Sequence, residues 1–187
     1  MLMQASKARN MITPFLTEGV TNIDALLIKS DNIDDRIDLI LDEIYLGKSD
    51  PAIRQLVGKI LANVEEKDSL GELQAIFNWV RKNIRYTRDP YNLELFQKPK
   101  RILELKTADC DDLTILIGSM VQNIGFALRL RVIGVESPEP EHIYPMVQNP
   151  DNENEWIAMD ASMKEKMGWE YPHEKCLFLQ DYEEDDD

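Results

Sequence analysis

Two cysteines, Cys110 and Cys176, and two histidines, His142 and His173, are the whole stock of thiol and imidazole in the chain. This inventory cannot build a disulfide framework or an all-cysteine zinc site. Cys110 stands among acids, in Asp109-Cys110-Asp111-Asp112, where an irregular stretch meets a strongly apolar helix. A helix N-terminus carries partial positive charge and unpaired N–H groups. Both lower a thiol pKa and favour the nucleophilic thiolate. The same N–H groups suit the oxyanion of an attacked carbonyl. Asp109, Asp111 and Asp112 oppose part of this. They are expected to serve the helix as cap and first-turn acids, with carboxylates turned from the sulfur.

His142 and Asp160 are equidistant in sequence from Asp151, and Asn149-Pro150-Asp151-Asn152 has the composition of a turn. A hairpin centred on Asp151 sets the two side chains directly opposite on one face, with β-carbons about 5 Å apart. A carboxylate bonded to an imidazole fixes its tautomer and supports the imidazolium. A sheet lying against the Cys110 helix would bring His142 to the sulfur. A slip of one residue would put one partner on the opposite face. Taken singly, each residue has a plainer reading: a buried small hydrophobe for the cysteine, a structural histidine, a turn-capping aspartate. Jointly they favour a Cys–His–Asp site. His173 and Cys176 lie three apart, too few ligands for a metal unless Cys110 and His142 join them. No metal and no cofactor is therefore expected. Trp169, Tyr171 and Pro172 are expected to cover a sheet edge or line a substrate cleft. With eight glycines and no phosphate-cradling loop, a small thioester donor ranks last.

These residues need elements to hold them. Ile33, Ile37, Ile40, Leu41 and Ile44 recur at helical spacing. Asp50-Pro51 offers an N-cap and a proline at the first helical position, ahead of a stripe from Ile53 to Val64. Ser69 with Glu72 has the capping-box pattern and opens a third helix through Leu73, Ile76, Phe77, Val80 and Ile84. Over residues 86–108 neither period holds, so the stretch is functional or hides short elements. The segment from Leu113 to Ile124 is apolar nearly all round, which predicts a central buried helix closed by Gly125. The period then turns to two, and residues 126–136, 142–148 and 155–160 read as strands. Helices followed by an antiparallel meander predict an α+β fold, the central helix packed on the sheet. One domain is expected over residues 1–180, helical to about residue 85, with the core over about 86–180.

The formal net charge is −14. That argues against a nucleic-acid partner, which needs a basic surface, and against an anionic membrane face. Six of the acids fall in the last seven residues, 181–187, which read as a disordered tail. The N-terminus has no continuous apolar run of the secretory kind, and no segment approaches the roughly 20 apolar residues of a membrane span. A cytoplasmic location is expected.

The run Phe77-Asn78-Trp79-Val80-Arg81-Lys82-Asn83-Ile84-Arg85-Tyr86, then Asp89-Pro90, Gln97-Lys98-Pro99 and Asp109-Cys110-Asp111-Asp112, resembles the transglutaminase-like superfamily. His142 and the Trp156-x-x-x-Asp160 pattern follow in the same order, so the resemblance covers roughly residues 50–162. It implies a papain-like core in which a helix-borne cysteine meets a histidine and an aspartate from adjacent strands. It implies Cys110 as nucleophile, His142 as general base and then acid, and Asp160 as orienter. Members include protein cross-linkers, amidases and cysteine peptidases. Short stand-alone forms are similar to proteins of bacteria and prophage gene clusters, which adds a phage particle to the expected settings. The family usually has glycine two residues before the cysteine, where this chain has Ala108. A positive φ there would strain alanine. Gln97 is implied as an oxyanion donor by analogy with papain-like enzymes, or else is a loop residue without a role. The expected function is acyl transfer on amide or peptide bonds of a protein or peptide substrate, through a thioester. Water is preferred over an amine as acceptor, because one small domain shows no second-substrate module. The alternatives are a cross-linking transamidase and a non-catalytic binding or structural module on the same fold.

Overall fold

A computed structural model describes residues 25–28, 32–88 and 94–183. Residues 1–24 of the expected helical part, and residues 184–187 of the expected tail, lie outside the described residues. Before the helices runs a short strand, β1 (Ala25–Ile28). Three helices follow: α1 (Ile33–Lys48), α2 (Pro51–Leu61) and α3 (Ser69–Asn83). Asp50 caps α2 as expected, its side chain accepting from the Ala52 N–H at 2.7 Å. On α3 the cap is Asp68, one residue before the expected Ser69, and it accepts from the Gly71 N–H at 2.9 Å. An aspartate caps as well as serine and adds negative charge at the positive helix end, so it takes the position.

Asp89-Pro90 lies outside the described residues, and among those residues the patternless stretch hides four short elements. They are β2 (Arg85–Tyr86), β3 (Glu94–Gln97), α4 (Pro99–Leu105) and β4 (Thr107–Ala108). β3 pairs antiparallel with β1, and β2 pairs parallel with β4. Ala108 is buried extended strand, and the left-handed residue is Lys106 instead, at φ 58°, closing α4. The missing glycine therefore introduces no strain before the cysteine.

α5 (Cys110–Asn123) is the central helix, and every residue from Asp111 to Val121 is buried. It crosses α1 closely because Gly118 has no side chain; a Cβ there would meet Ile44 Cδ1 at 2.7 Å. Gly125, at φ 90°, ends this segment. Then come β5 (Leu128–Gly134), β6 (His142–Asn149) and β7 (Asn152–Ala158), the expected meander. A fourth strand, β8 (Phe178–Glu183), pairs antiparallel with β5, giving the order β7-β6-β5-β8. Ile143 and Val147 of β6 join the core around α5, while Tyr144 and Met146 build a smaller cluster with Ile133 and Ala158. The expected tail is corrected at its start: Asp181 to Glu183 are strand. Arg131 and Arg129 of β5 neutralise Asp181, at 2.6 and 3.3 Å, so the acids there do not simply repel. Among the described residues no helix is long and apolar enough to cross a membrane.

Candidate active site

Cys110 is the first residue of α5 and is partly buried. Each acid beside it has a partner. Asp109 caps the helix, accepting from the Asp112 N–H at 3.0 Å. Asp111 pairs with Arg36 of α1 at 3.2 Å. Asp112 accepts from the backbone N–H and from Nε2 of Gln97, at 2.7 and 2.5 Å. The Thr114 hydroxyl donates to the Cys110 carbonyl at 2.8 Å and lies 3.3 Å from the Ile143 carbonyl. This ties the first turn of α5 to the start of β6.

The Cys110 thiol donates weakly to Asp111 Oδ1 at 4.0 Å, and the N–H groups of Ile143 and Asp111 point at the sulfur. Burial pushes the thiol well above its ordinary value. The Asp111 and Asp109 carboxylates push it further, and the two N–H groups oppose without reversing the shift. The expectation of a lowered thiol is corrected here: burial and flanking charge outweigh the helix end. Burial and these charges favour the protonated thiol over the thiolate.

His142 opens β6, and its Nε2 lies 2.7 Å from Asp160 Oδ2. The two meet, though not in the expected register. Met146 faces Ala158, Val147 faces Ile157 and Gln148 faces Trp156, while Asn149 faces Asn152. Glu153, Asn154 and Glu155 therefore have no ladder partner on β6; side-chain bonds run instead from Gln148 to the Glu153 carbonyl and from Asn149 to Glu155, each at 3.0 Å. Beyond this bulge the pairs stand two residues from the expected register. Continuing that ladder sets Asp160 opposite Tyr144, diagonal to His142. A shift of two keeps both side chains on one face, where a shift of one would have separated them.

Asp160 is 8 % exposed at its side chain. Burial alone would raise its carboxyl, but hydrogen bonds and charge from His142, and hydrogen bonds from Ser162, hold it below the usual range. Ser162 donates twice to Asp160 Oδ1, from its hydroxyl at 2.6 Å and its backbone N–H at 3.0 Å. Sequence reasoning missed Ser162, although the Asp-x-Ser spacing is that of a side chain bonding its own backbone two residues on. It also missed Tyr144, whose ring lies 5.6 Å from the His142 ring. The Tyr144 hydroxyl donates to Glu170 at 3.4 Å. Arg131 holds that same Glu170 and is itself gripped by Asp181, at 2.6 and 2.7 Å.

Among the described residues no hydrogen bond joins the Cys110 sulfur to His142. What approaches the sulfur is the N–H of the next residue, Ile143. With Nε2 taken by Asp160, Nδ1 is the imidazole nitrogen that remains for a thiol. Gln97 is not placed as expected either. It ends β3, is buried, and spends an amide proton on Asp112, so it clamps β3 onto α5. His173 and Cys176 stand apart from the site. His173 meets Glu170 at 3.2 Å, and the Cys176 thiol faces the Pro172 carbonyl at 3.7 Å. Tyr171 packs against the smaller sheet cluster, with Trp169 edge-on to it at 6.4 Å. Among the described residues no group of three or more His, Cys, Asp or Glu side chains is arranged to hold a metal ion.

Similarity to known proteins bears on this arrangement. A candidate cysteine protease from Cytophaga hutchinsonii has a similar structure, with a TM-score of 0.50 at 17% identity, over 66% of this chain. The match takes in 42% of that protein's chain. Legionella pneumophila LapG, EGTA-treated, aligns at a TM-score of 0.46 and 15% identity, over 68% of this chain and 73% of its own. No curated protein sequence matches. The family model for the transglutaminase-like superfamily matches residues 54–161, a span that holds Cys110, His142 and Asp160. That span is more than half of the chain, and its helix-then-sheet order is the one built here; the protein belongs to the transglutaminase-like superfamily, a family of cysteine-dependent enzymes.

Proposed function

We propose that this protein hydrolyses amide or peptide bonds in a protein or peptide, with Cys110 as nucleophile, His142 as general base and acid, and Asp160 as orienter. The observation that carries the reading is the 2.7 Å contact of His142 Nε2 with Asp160, at the strand start whose next N–H meets the Cys110 sulfur.

In this reading Nδ1 of His142 takes the thiol proton as Sγ bonds to the carbonyl carbon. The C=O electron pair moves to oxygen. Collapse of the adduct breaks the C–N bond, and the leaving amine takes the proton from His142, leaving a thioester on Cys110. Water then attacks the thioester and gives its proton to His142. Collapse releases the carboxylic acid, and the sulfur regains a proton. Asp160, held ionised by its hydrogen bonds, stabilises the imidazolium at both stages. Because burial and the flanking carboxylates favour the thiol over the thiolate, proton removal accompanies attack.

A peptidyl fluoromethyl ketone tests this, with adducts located by mass spectrometry. Cys110 should be labelled ahead of Cys176, and His142→Ala should slow that labelling about 100-fold or more. Equal, slow labelling of both cysteines, unaffected by His142→Ala, would overturn the reading. Offering glycine ethyl ester beside water separates the acceptors. A free acid as main product supports hydrolysis, and an amide-linked product would transfer the assignment to a transamidase.

A further inference from the structure

A cleft of about 510 Å³ opens at the C-terminal end of α3, and Arg81, Lys82, Arg85 and Lys106 line it together with Ile84 and Leu105. No Asp or Glu is among its lining residues, in a chain of net charge −14. The helix end accounts for Arg81 and Lys82, since cations favour the negative end of the dipole. Lys106, which closes α4, stands at a second helix end, and the dipoles do not account for Arg85 on β2. Among the described residues none of the four pairs with a carboxylate. Arg81 donates to the backbone carbonyls of Glu165 and Lys164, at 2.6 and 2.9 Å. The Lys106 ammonium lies 5.2 Å over the Trp79 ring. Four cations around one concavity, with no Asp or Glu among its lining residues, raise the local potential and concentrate anions there.

The place of the cleft connects it to the site. Thr107, on its wall, precedes Cys110 by three residues, a reach of at most about 10 Å of extended chain. Arg81 holds the segment just beyond Ser162, the residue that bonds Asp160. The chain entering the nucleophile and the chain leaving Asp160 therefore both pass this end of α3. Leu105, 45% exposed, adds an apolar contact beside the cations.

We infer that this cleft is a subsite for carboxylate side chains, so that the protein takes acidic peptide segments. The position of those carboxylates, about three residues from the attacked amide, rests on Cys110 being the nucleophile. The binding of acidic peptides does not. Charge-assisted hydrogen bonds to the guanidinium and ammonium groups supply the recognition, with an aliphatic neighbour resting on Leu105.

The test uses the full chain with Cys110→Ala, which binds without turnover, and fluorescein-labelled hexapeptides of alternating Glu and Leu, or Gln and Leu. Anisotropy should report binding of the Glu peptide only, weakening as sodium chloride rises. Adding Lys82→Glu with Arg85→Glu should weaken it about 10-fold or more. Both residues are exposed, and circular dichroism checks that the double variant keeps its fold. Equal binding of the two peptides, or unchanged affinity in the double variant, would overturn the inference. So would displacement of the Glu peptide by an oligothymidylate at lower concentration, which would make the cleft a nucleic-acid contact. Turnover by the unmodified protein is read separately. Charge-selective binding without turnover sinks the catalytic reading and leaves the cleft standing, and turnover indifferent to charge sinks the cleft alone.

Discussion

A thiol hemmed in by carboxylates is a poor thiolate until something takes its proton, and this shapes what single substitutions should do. Asp111 is, after burial, the largest cause of the raised Cys110 thiol. Asp111→Asn removes that charge from beside the sulfur, so the thiol pKa should fall. Iodoacetamide should then label Cys110 faster at pH 7 than in the unmodified protein, whose labelling should still be climbing above about pH 8.5. Asp160→Asn should lower kcat about 100-fold to 10,000-fold with little change in far-UV circular dichroism, because it removes support for the imidazolium and not a packing group. Ser162→Ala takes away one of two bonds to Asp160 Oδ1 and should act in the same direction, but less. Tyr144→Phe keeps the ring against His142 and loses only the hydroxyl bond to Glu170, so its kcat should stay closer to the parent than that of Ser162→Ala. His142 and Asp160 were legible in the sequence because strand parity survives a shift of two. The thiol's direction was not, since the burial that dominates it comes from residues distant in sequence.

Among the elements, legibility followed locality. α1, α2, α3 and α5 each carry a full apolar period, and their caps sit within the sequence windows that announce them. β2 and β4 are two residues each, too short to show any period, and exist because Arg85 and Tyr86 find Thr107 and Ala108 beside them. β3 and β8 likewise depend on partners far along the chain. The cap of α3 can be tested directly. Asp68→Ala should cost about 1 kcal/mol in urea unfolding, while Ser69→Ala should cost clearly less. Gly118→Ala presses on Ile44 where α5 meets α1, and should cost about 1–3 kcal/mol if the helices hold their spacing.

For the molecule as a whole, the sheet that carries the site is bound at one edge by charge. Asp181 of β8 tends upward by burial, but its bonds to Arg131 and the nearby Arg129 hold its carboxyl below the ordinary range, as His142 and Ser162 do for Asp160. A lowered folded-state pKa means stability that is fully present above the unfolded value of about 3.9 and is lost as pH falls through the folded value. Urea midpoints should therefore drop steeply below about pH 4, and Asp181→Asn should flatten that limb while lowering the midpoint at pH 7. Buried Tyr144 is shifted upward, so its contribution is lost only in strongly alkaline solution.

The bulge in the β6–β7 hairpin leaves Glu153, Asn154 and Glu155 outside the ladder, tied to Gln148, Asn149 and Asn152 by side-chain bonds, so the pairs that align His142 with Asp160 take their register beyond the tip. Length changes at the tip should then be absorbed without reaching the active face. A Gly-Ser dipeptide or a short reporter epitope inserted after Asp151 should leave kcat and the urea midpoint close to those of the parent. Deleting one residue between Trp156 and Ala158 should abolish activity, because it turns Asp160 to the other side of the sheet. The hairpin tip is in that sense the natural graft point of the domain.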